Sequence, residues 1–142
     1  MGFTRNAGLC ALSAALLAGP AGAQDYVGIS ANLFGTSIPG GGAGGDASAD
    51  FNGEIDFTQD RLCYYFEGTG LADAQSAHIH EAAEGKAGPE VATLELPAED
   101  ADEVCMTLER TLLEWMARDP GSYYVDVHTQ AHPGGAVRGQ MG

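Results

Sequence analysis

The eight residues Asp50–Phe57 alternate without a break. Asp50, Asn52, Glu54 and Asp56 are polar, whereas Phe51, Gly53, Ile55 and Phe57 are apolar or small. A period of two fits a pleated strand with one wet face and one buried face, and a helix would scatter those apolar residues around its axis. After Thr58-Gln59-Asp60, the run "RLCYYFEG" repeats the pattern with Leu62, Tyr64 and Phe66 inward. The two runs predict a hairpin. Cys63 falls on the opposite face, where a bridge would tie a covering loop or helix onto that side or edge of the sheet.

The same reading extends along the chain. "YVGISANLF" (Tyr26–Phe34) is a strand candidate, followed by the Gly-rich "GTSIPGGGAGGDASAD". That stretch reads as a loop, since no Lys-Ser/Thr follows it and no strand-to-helix pattern surrounds it. "AHIHE" (Ala77–Glu81) and "EVATLELP" (Glu90–Pro97) are further strands. Leu108, Leu112, Trp115 and Met116 recur at helical spacing, which predicts one short helix near residues 107–118 with its stripe in the core. Pro120 and Gly121 stop it. "SYYVDVHT" then sets Tyr123, Val125, Val127 and Thr129 on one face and Tyr124, Asp126 and His128 on the other. A Pro-Gly-Gly reversal leads to a returning strand, "AVRGQM". Antiparallel strands with Gly-rich turns and one helix predict a mainly β fold, an antiparallel β-sandwich of Greek-key, immunoglobulin-like or superoxide-dismutase-like type.

The first 23 residues carry Arg5, an apolar run and the small-residue exit Ala21-Gly22-Ala23. This is the layout of a cleaved signal peptide, too short to span a bilayer stably, so the expected mature domain is 24–142. No other apolar stretch reaches membrane-spanning length. The formal net charge is −14, with all 20 acidic residues beyond the leader, which argues against nucleic acid as a partner. Once the leader and its Cys10 are removed, Cys63 and Cys105 remain. Two cysteines in an exported chain predict a disulfide, worth about 4 kcal/mol in the chain-entropy model.

Only four histidines occur, and their parity is informative. Ile79 is the apolar residue of "AHIHE", so His78 and His80 point away from the side it packs. His128 and Asp126 likewise oppose the apolar set of their strand. If the returning strand buries Val137, its polar face carries Arg138 and Gln140. Antiparallel pairing then sets Arg138 opposite either Asp126 or His128. His78 and His80 with His128 from a neighbouring strand could form a three-nitrogen site suited to copper or zinc. Asp126, Arg138 and Gln140 would be its supporting polar network, with Asp126, Glu81 or a carbonyl orienting a ring. The bland alternative is a hydrogen-bonded network between sheet and loops. His132, in the turn, reads as a surface residue.

The blocks "AHIHEAAEGKAGPEVATL" and "DPGSYYVDVHTQAHPGGAVRGQM" closely resemble the CHRD domain, the repeat named for chordin and also found singly in exported bacterial proteins. The family pattern pairs an Ala-His-Ile-His segment with a Tyr-Val-Asn-Val-His-Thr strand, a Pro-Gly-Gly turn and an Ile-Arg-Gly-Gln strand. Asp126 stands where the family usually has Asn, and Glu81-Ala82 departs from the usual residue-plus-Gly. The resemblance implies a β-sandwich and an extracellular setting. In the animal protein, the domains belong to a growth-factor antagonist. The His-x-His spacing is also similar to that of copper–zinc superoxide dismutase, but the further histidine segment of that family is missing.

No nucleophile elbow or calcium loop is present, and paired carboxylates in so acidic a chain are uninformative. The leading expectation is therefore a non-enzymatic, exported binding or envelope-associated module, periplasmic or extracellular. Its partner would be a protein or envelope ligand, and its polar centre the histidine cluster. The alternative is a copper- or zinc-binding protein or metal-dependent enzyme using His78, His80 and His128.

Overall fold

The computed structural model describes residues 1–2, 24–69, 73–98 and 102–142. Apart from its first two residues, the expected signal peptide, with Cys10, lies outside the described residues. Eight strands form in chain order: β1 Tyr26–Phe34, β2 Ser48–Asp56, β3 Arg61–Thr69, β4 Ala74–Glu81, β5 Glu90–Leu94, β6 Val104–Thr107, β7 Tyr123–Thr129 and β8 Val137–Gln140. Among the described residues there is one α-helix, α1, over Arg110–Arg118. Among the described residues, no helix is long and apolar enough to cross a membrane.

The strands form one antiparallel sheet in the order β5-β4-β7-β8-β1-β2-β3-β6. The expected sandwich of two packed sheets is therefore corrected to a single curled sheet, a half-barrel. The reason lies at one junction. β8 pairs with β1 at Phe34 and Arg138, and a bridge joins Ala31 to Met141. Ser30 and Gly142 then exchange hydrogen bonds of 3.1 and 2.9 Å. A side chain at Gly139 would collide with the Asn32 carbonyl, so only glycine lets the two backbones approach here.

The alternating residues fill the concave side. Leu33, Phe51, Ile55, Leu62, Tyr64 and Phe66 from one half join Ile79, Val125, Val127 and Val137 from the other in one core. Phe51, Tyr64 and Phe66 pack as a trio with ring centroids 5.4–5.9 Å apart. The Tyr64 hydroxyl donates to the Glu95 carbonyl at 2.8 Å, drawing the β3 side of the sheet toward the far end beyond β5. Burial pushes this phenol up to about 12, so it remains a donor.

Helix α1 buries Leu113 and Met116, with Leu112 at its margin. Trp115 was expected in the core stripe but is 56% exposed, its ring facing the Arg118 guanidinium at 5.1 Å. The helix starts at Arg110 rather than 107, and its phase brings Leu113 inward instead. Arg110 fastens the helix to the β2–β3 turn through the Phe57 carbonyl (2.6 Å) and Asp60 (2.9 Å). Cys63 and Cys105 form the expected disulfide between directly paired residues of β3 and edge strand β6.

Candidate metal centre

Strand pairing brings the two halves of the histidine pattern together. β4 lies beside β7, with His78 opposite Asp126, His80 opposite Tyr124 and Ser76 opposite His128. On the other side of β7, Asp126 faces Arg138 and Tyr124 faces Gln140. His78, His80, Tyr124, Asp126, His128, Arg138 and Gln140 thus occupy one convex patch. Ala77, Ile79, Val125 and Val127 are fully buried on the other face.

Asp126 stands at the middle. His78 Nδ1 lies 3.1 Å from its Oδ1, His128 Nε2 lies 3.2 Å from the same oxygen, and His80 Nε2 lies 3.3 Å from Oδ2. All three imidazoles lie against this carboxylate, and each side chain is less than a fifth exposed, but His128 is not in the group whose ligand atoms all lie close together. His78, His80 and Asp126 each offer a ligand atom within 4.8 Å of the others.

The outer nitrogens are already engaged. His80 Nδ1 lies 3.0 Å from the Gly88 carbonyl, and His128 Nδ1 lies 2.9 Å from the Pro133 carbonyl. A carbonyl only accepts, so each Nδ1 carries the hydrogen, and in the neutral ring Nε2 holds a lone pair. The Nε2 atoms of His80 and His128 are buried and lack hydrogen-bond partners among the described residues. They are close to the carboxylate but not oriented to donate to it. Two lone pairs and a carboxylate therefore lie within 3.2–3.3 Å without pointing at one another, as donors directed at a shared cation would.

A strap of residues 82–89 covers one side of the patch. Arg138 donates to the Lys86 carbonyl, and Gln140 donates to those of Ala82 (2.8 Å) and Gly121 (2.7 Å). Any side chain on Gly88 would meet the Glu81 carbonyl, so glycine is required where the strap returns over His80. Arg138 was expected in a polar network with Asp126 and stands opposite it in register. Its guanidinium instead lies 3.4 Å above the Tyr124 ring, and the Tyr124 ring stacks on His80 at 4.8 Å. An Arg–Tyr–His layer thereby fixes the His80 plane. His132 lies in the β7–β8 turn, half-buried, with its backbone N–H held by the Thr129 hydroxyl at 3.2 Å.

One carboxylate escaped the sequence reading. Simple alternation along β5 would put Glu90 on the same face as Ala92 and Leu94. An irregularity between Ile79 and His80 shifts the register and sets Glu90 opposite His80. The Thr93 hydroxyl, bonded to the Glu90 carboxylate, holds that carboxyl below its ordinary value, against partial desolvation. Tyr124 was also missed, although it shares the parity of Asp126 and His128. Its aromatic ring alone did not distinguish it from a packing residue.

No curated protein and no solved structure matches the chain significantly. The CHRD domain profile matches residues 29–141, a span that holds every strand of the sheet except the first residues of β1 and includes all the site residues. The chain belongs to the CHRD domain family.

Proposed function

We propose that this protein is an exported, non-enzymatic binding module whose centre holds a zinc or copper ion on His78, His80, His128 and Asp126. The carrying observation is the pair of buried, unpartnered Nε2 atoms beside the Asp126 carboxylate, with both Nδ1 atoms committed to carbonyls. Orientation of a ligating histidine through its second nitrogen is the usual arrangement around protein-bound metals. With bonds of about 2.0–2.1 Å, neighbouring donors of a tetrahedral ion stand about 3.3 Å apart. The two unpartnered nitrogens lie 3.3 Å (His80 Nε2 to Oδ2) and 3.2 Å (His128 Nε2 to Oδ1) from the Asp126 carboxylate, and His78 Nδ1 hydrogen-bonds Oδ1 at 3.1 Å.

Protons are the competing source of positive charge. Protonating His80 and His128 would set two like charges beside one buried carboxylate, at a cost in repulsion and desolvation. A single divalent ion needs only the neutral rings. Export is supported by the leader-like first 23 residues and by the disulfide, which suits an oxidising compartment.

Elemental analysis of untagged protein tests the reading directly. Chelator-stripped protein refilled with zinc or copper should retain about one ion per chain, and a His80→Ala/His128→Ala variant should retain essentially none. Failure of the folded wild-type protein to retain either ion would overturn the proposal.

A further inference from the structure

A concave feature lies beside the histidine patch, between the exposed side of α1 and the adjoining ends of β4 and β7. Glu81, Leu112, Trp115, Asp119 and Tyr123 line a cleft of about 460 Å³. Three properties of its wall point to one kind of occupant. Glu81 and Asp119 supply carboxylates, and both act through their charge on the Tyr123 hydroxyl. Tyr123 is only 5% exposed and lines the cleft, and its hydroxyl has no hydrogen-bond partner among the described residues. Trp115 is the only tryptophan of the chain and is 56% exposed.

We propose that this cleft binds a guanidinium or ammonium side chain presented by a basic peptide segment of a partner protein. Two carboxylates and a phenol oxygen supply acceptors for several N–H groups, which favours arginine or lysine over a quaternary ammonium. The indole supplies a face for a cation, a role it already serves toward Arg118 of its own helix at 5.1 Å. Leu112 and the Tyr123 ring offer apolar surface for the methylene stem that such side chains carry. Long-range attraction comes from the formal net charge of −14. Burial and the two carboxylates raise the Tyr123 phenol, so it remains a neutral hydroxyl beside them.

Because Trp115 is the sole tryptophan, its fluorescence reports on the cleft alone. The full chain, both zinc-loaded and chelator-stripped, is titrated with a capped alanine peptide carrying two arginines, with the matching citrulline peptide, and with spermidine. The arginine peptide should give a saturable change that the citrulline peptide does not. Each of Glu81→Gln and Asp119→Asn should weaken it by up to about fivefold, and the pair by about tenfold. Tyr123→Phe, which keeps the ring, should also weaken it. An Asp50→Asn/Glu54→Gln variant removes the same charge from exposed positions on β2 and should leave the affinity nearly unchanged. Equal weakening by that control would reduce the effect to general acidity and overturn the site. Spermidine binding as tightly as the peptide would overturn the assignment to a protein segment. The reading does not depend on the metal, since the stripped protein should bind the peptide equally well.

Discussion

The two halves of the sheet follow the same two-residue period but use their convex faces differently. On β2 and β3, the convex residues are mostly wet: Asp50, Glu54 and Glu67 are exposed. On β7, every residue except the half-buried His128 is buried, so both faces are covered. The concave sides are equivalent and contribute to one core. The difference is the strap of residues 82–89 and the Pro133 turn, which close over β4, β7 and β8 and turn a solvated face into a site. Alternation therefore builds the scaffold in both halves, and loop coverage decides where polar residues acquire chemistry.

The comparison predicts that stability and metal binding can be separated by half. Phe51, fully buried in the aromatic trio of the first half, carries the largest expected effect. Phe51→Ala should cost about 3–5 kcal/mol by denaturant unfolding, while the folded protein still retains its metal. Loss of metal from folded Phe51→Ala protein would break the separation.

Asp126→Asn probes the second half, and the sign of its effect distinguishes two states of the centre. If a metal supplies the positive charge, the stripped wild type leaves two unpartnered lone pairs crowded beside a carboxylate. An Asn amide would then donate to one of them, and the stripped variant should be at least as stable as the stripped wild type. Zinc at a hundredfold excess over Kd should stabilise the wild type by about 2.7 kcal/mol, roughly 10 °C in Tm, and the variant hardly at all. A proton network predicts the reverse: removing the carboxylate would leave buried imidazolium unpaired and cost about 3–5 kcal/mol with or without zinc. Thermal scans of both proteins with zinc and with chelator distinguish the two.

Much of this was legible in the sequence because side-chain period is local. β1 spans Tyr26–Phe34 as read, and Leu62, Tyr64 and Phe66 point inward as read. The pairing of Asp126 with Arg138 was one of two registers that parity allowed. What was not legible depended on distant backbone. The junction of Phe34 with Arg138 makes one sheet of two hairpin systems, and nothing in either segment announces the other. Glu90 was concealed by the irregularity opposite it, because one shifted residue reverses the parity of everything beyond. Asp126 was recognisable as a polar partner but not as the centre, since it is one of 20 carboxylates in the chain. Trp115 was misread because Leu112, Leu113, Trp115 and Met116 offer two adjacent apolar stripes, and only packing selects between them.

The smallest effect sharpens the comparison from the scaffold side. Asp56 is buried at the β2–β3 turn, where it accepts from the Thr58 hydroxyl (2.6 Å), the Thr58 backbone N–H (2.9 Å) and Arg61 Nε (3.1 Å). The hydroxyl bond first, then the backbone N–H and the Arg61 charge, outweigh desolvation and hold the carboxyl below its ordinary value. A carboxyl lowered by folding contributes stability above its unfolded pKa and loses it as pH falls through the folded value. Asp56→Asn keeps an acceptor for Thr58 but removes the charge. With chelator present to silence the second half, the Tm gap between wild type and variant should be widest near neutrality and close as the pH falls below the ordinary carboxyl value of about 4. A gap that stays constant across that range would mean that turn geometry, not the carboxylate charge, supports this hairpin. The scaffold half would then owe its acid response to other carboxylates.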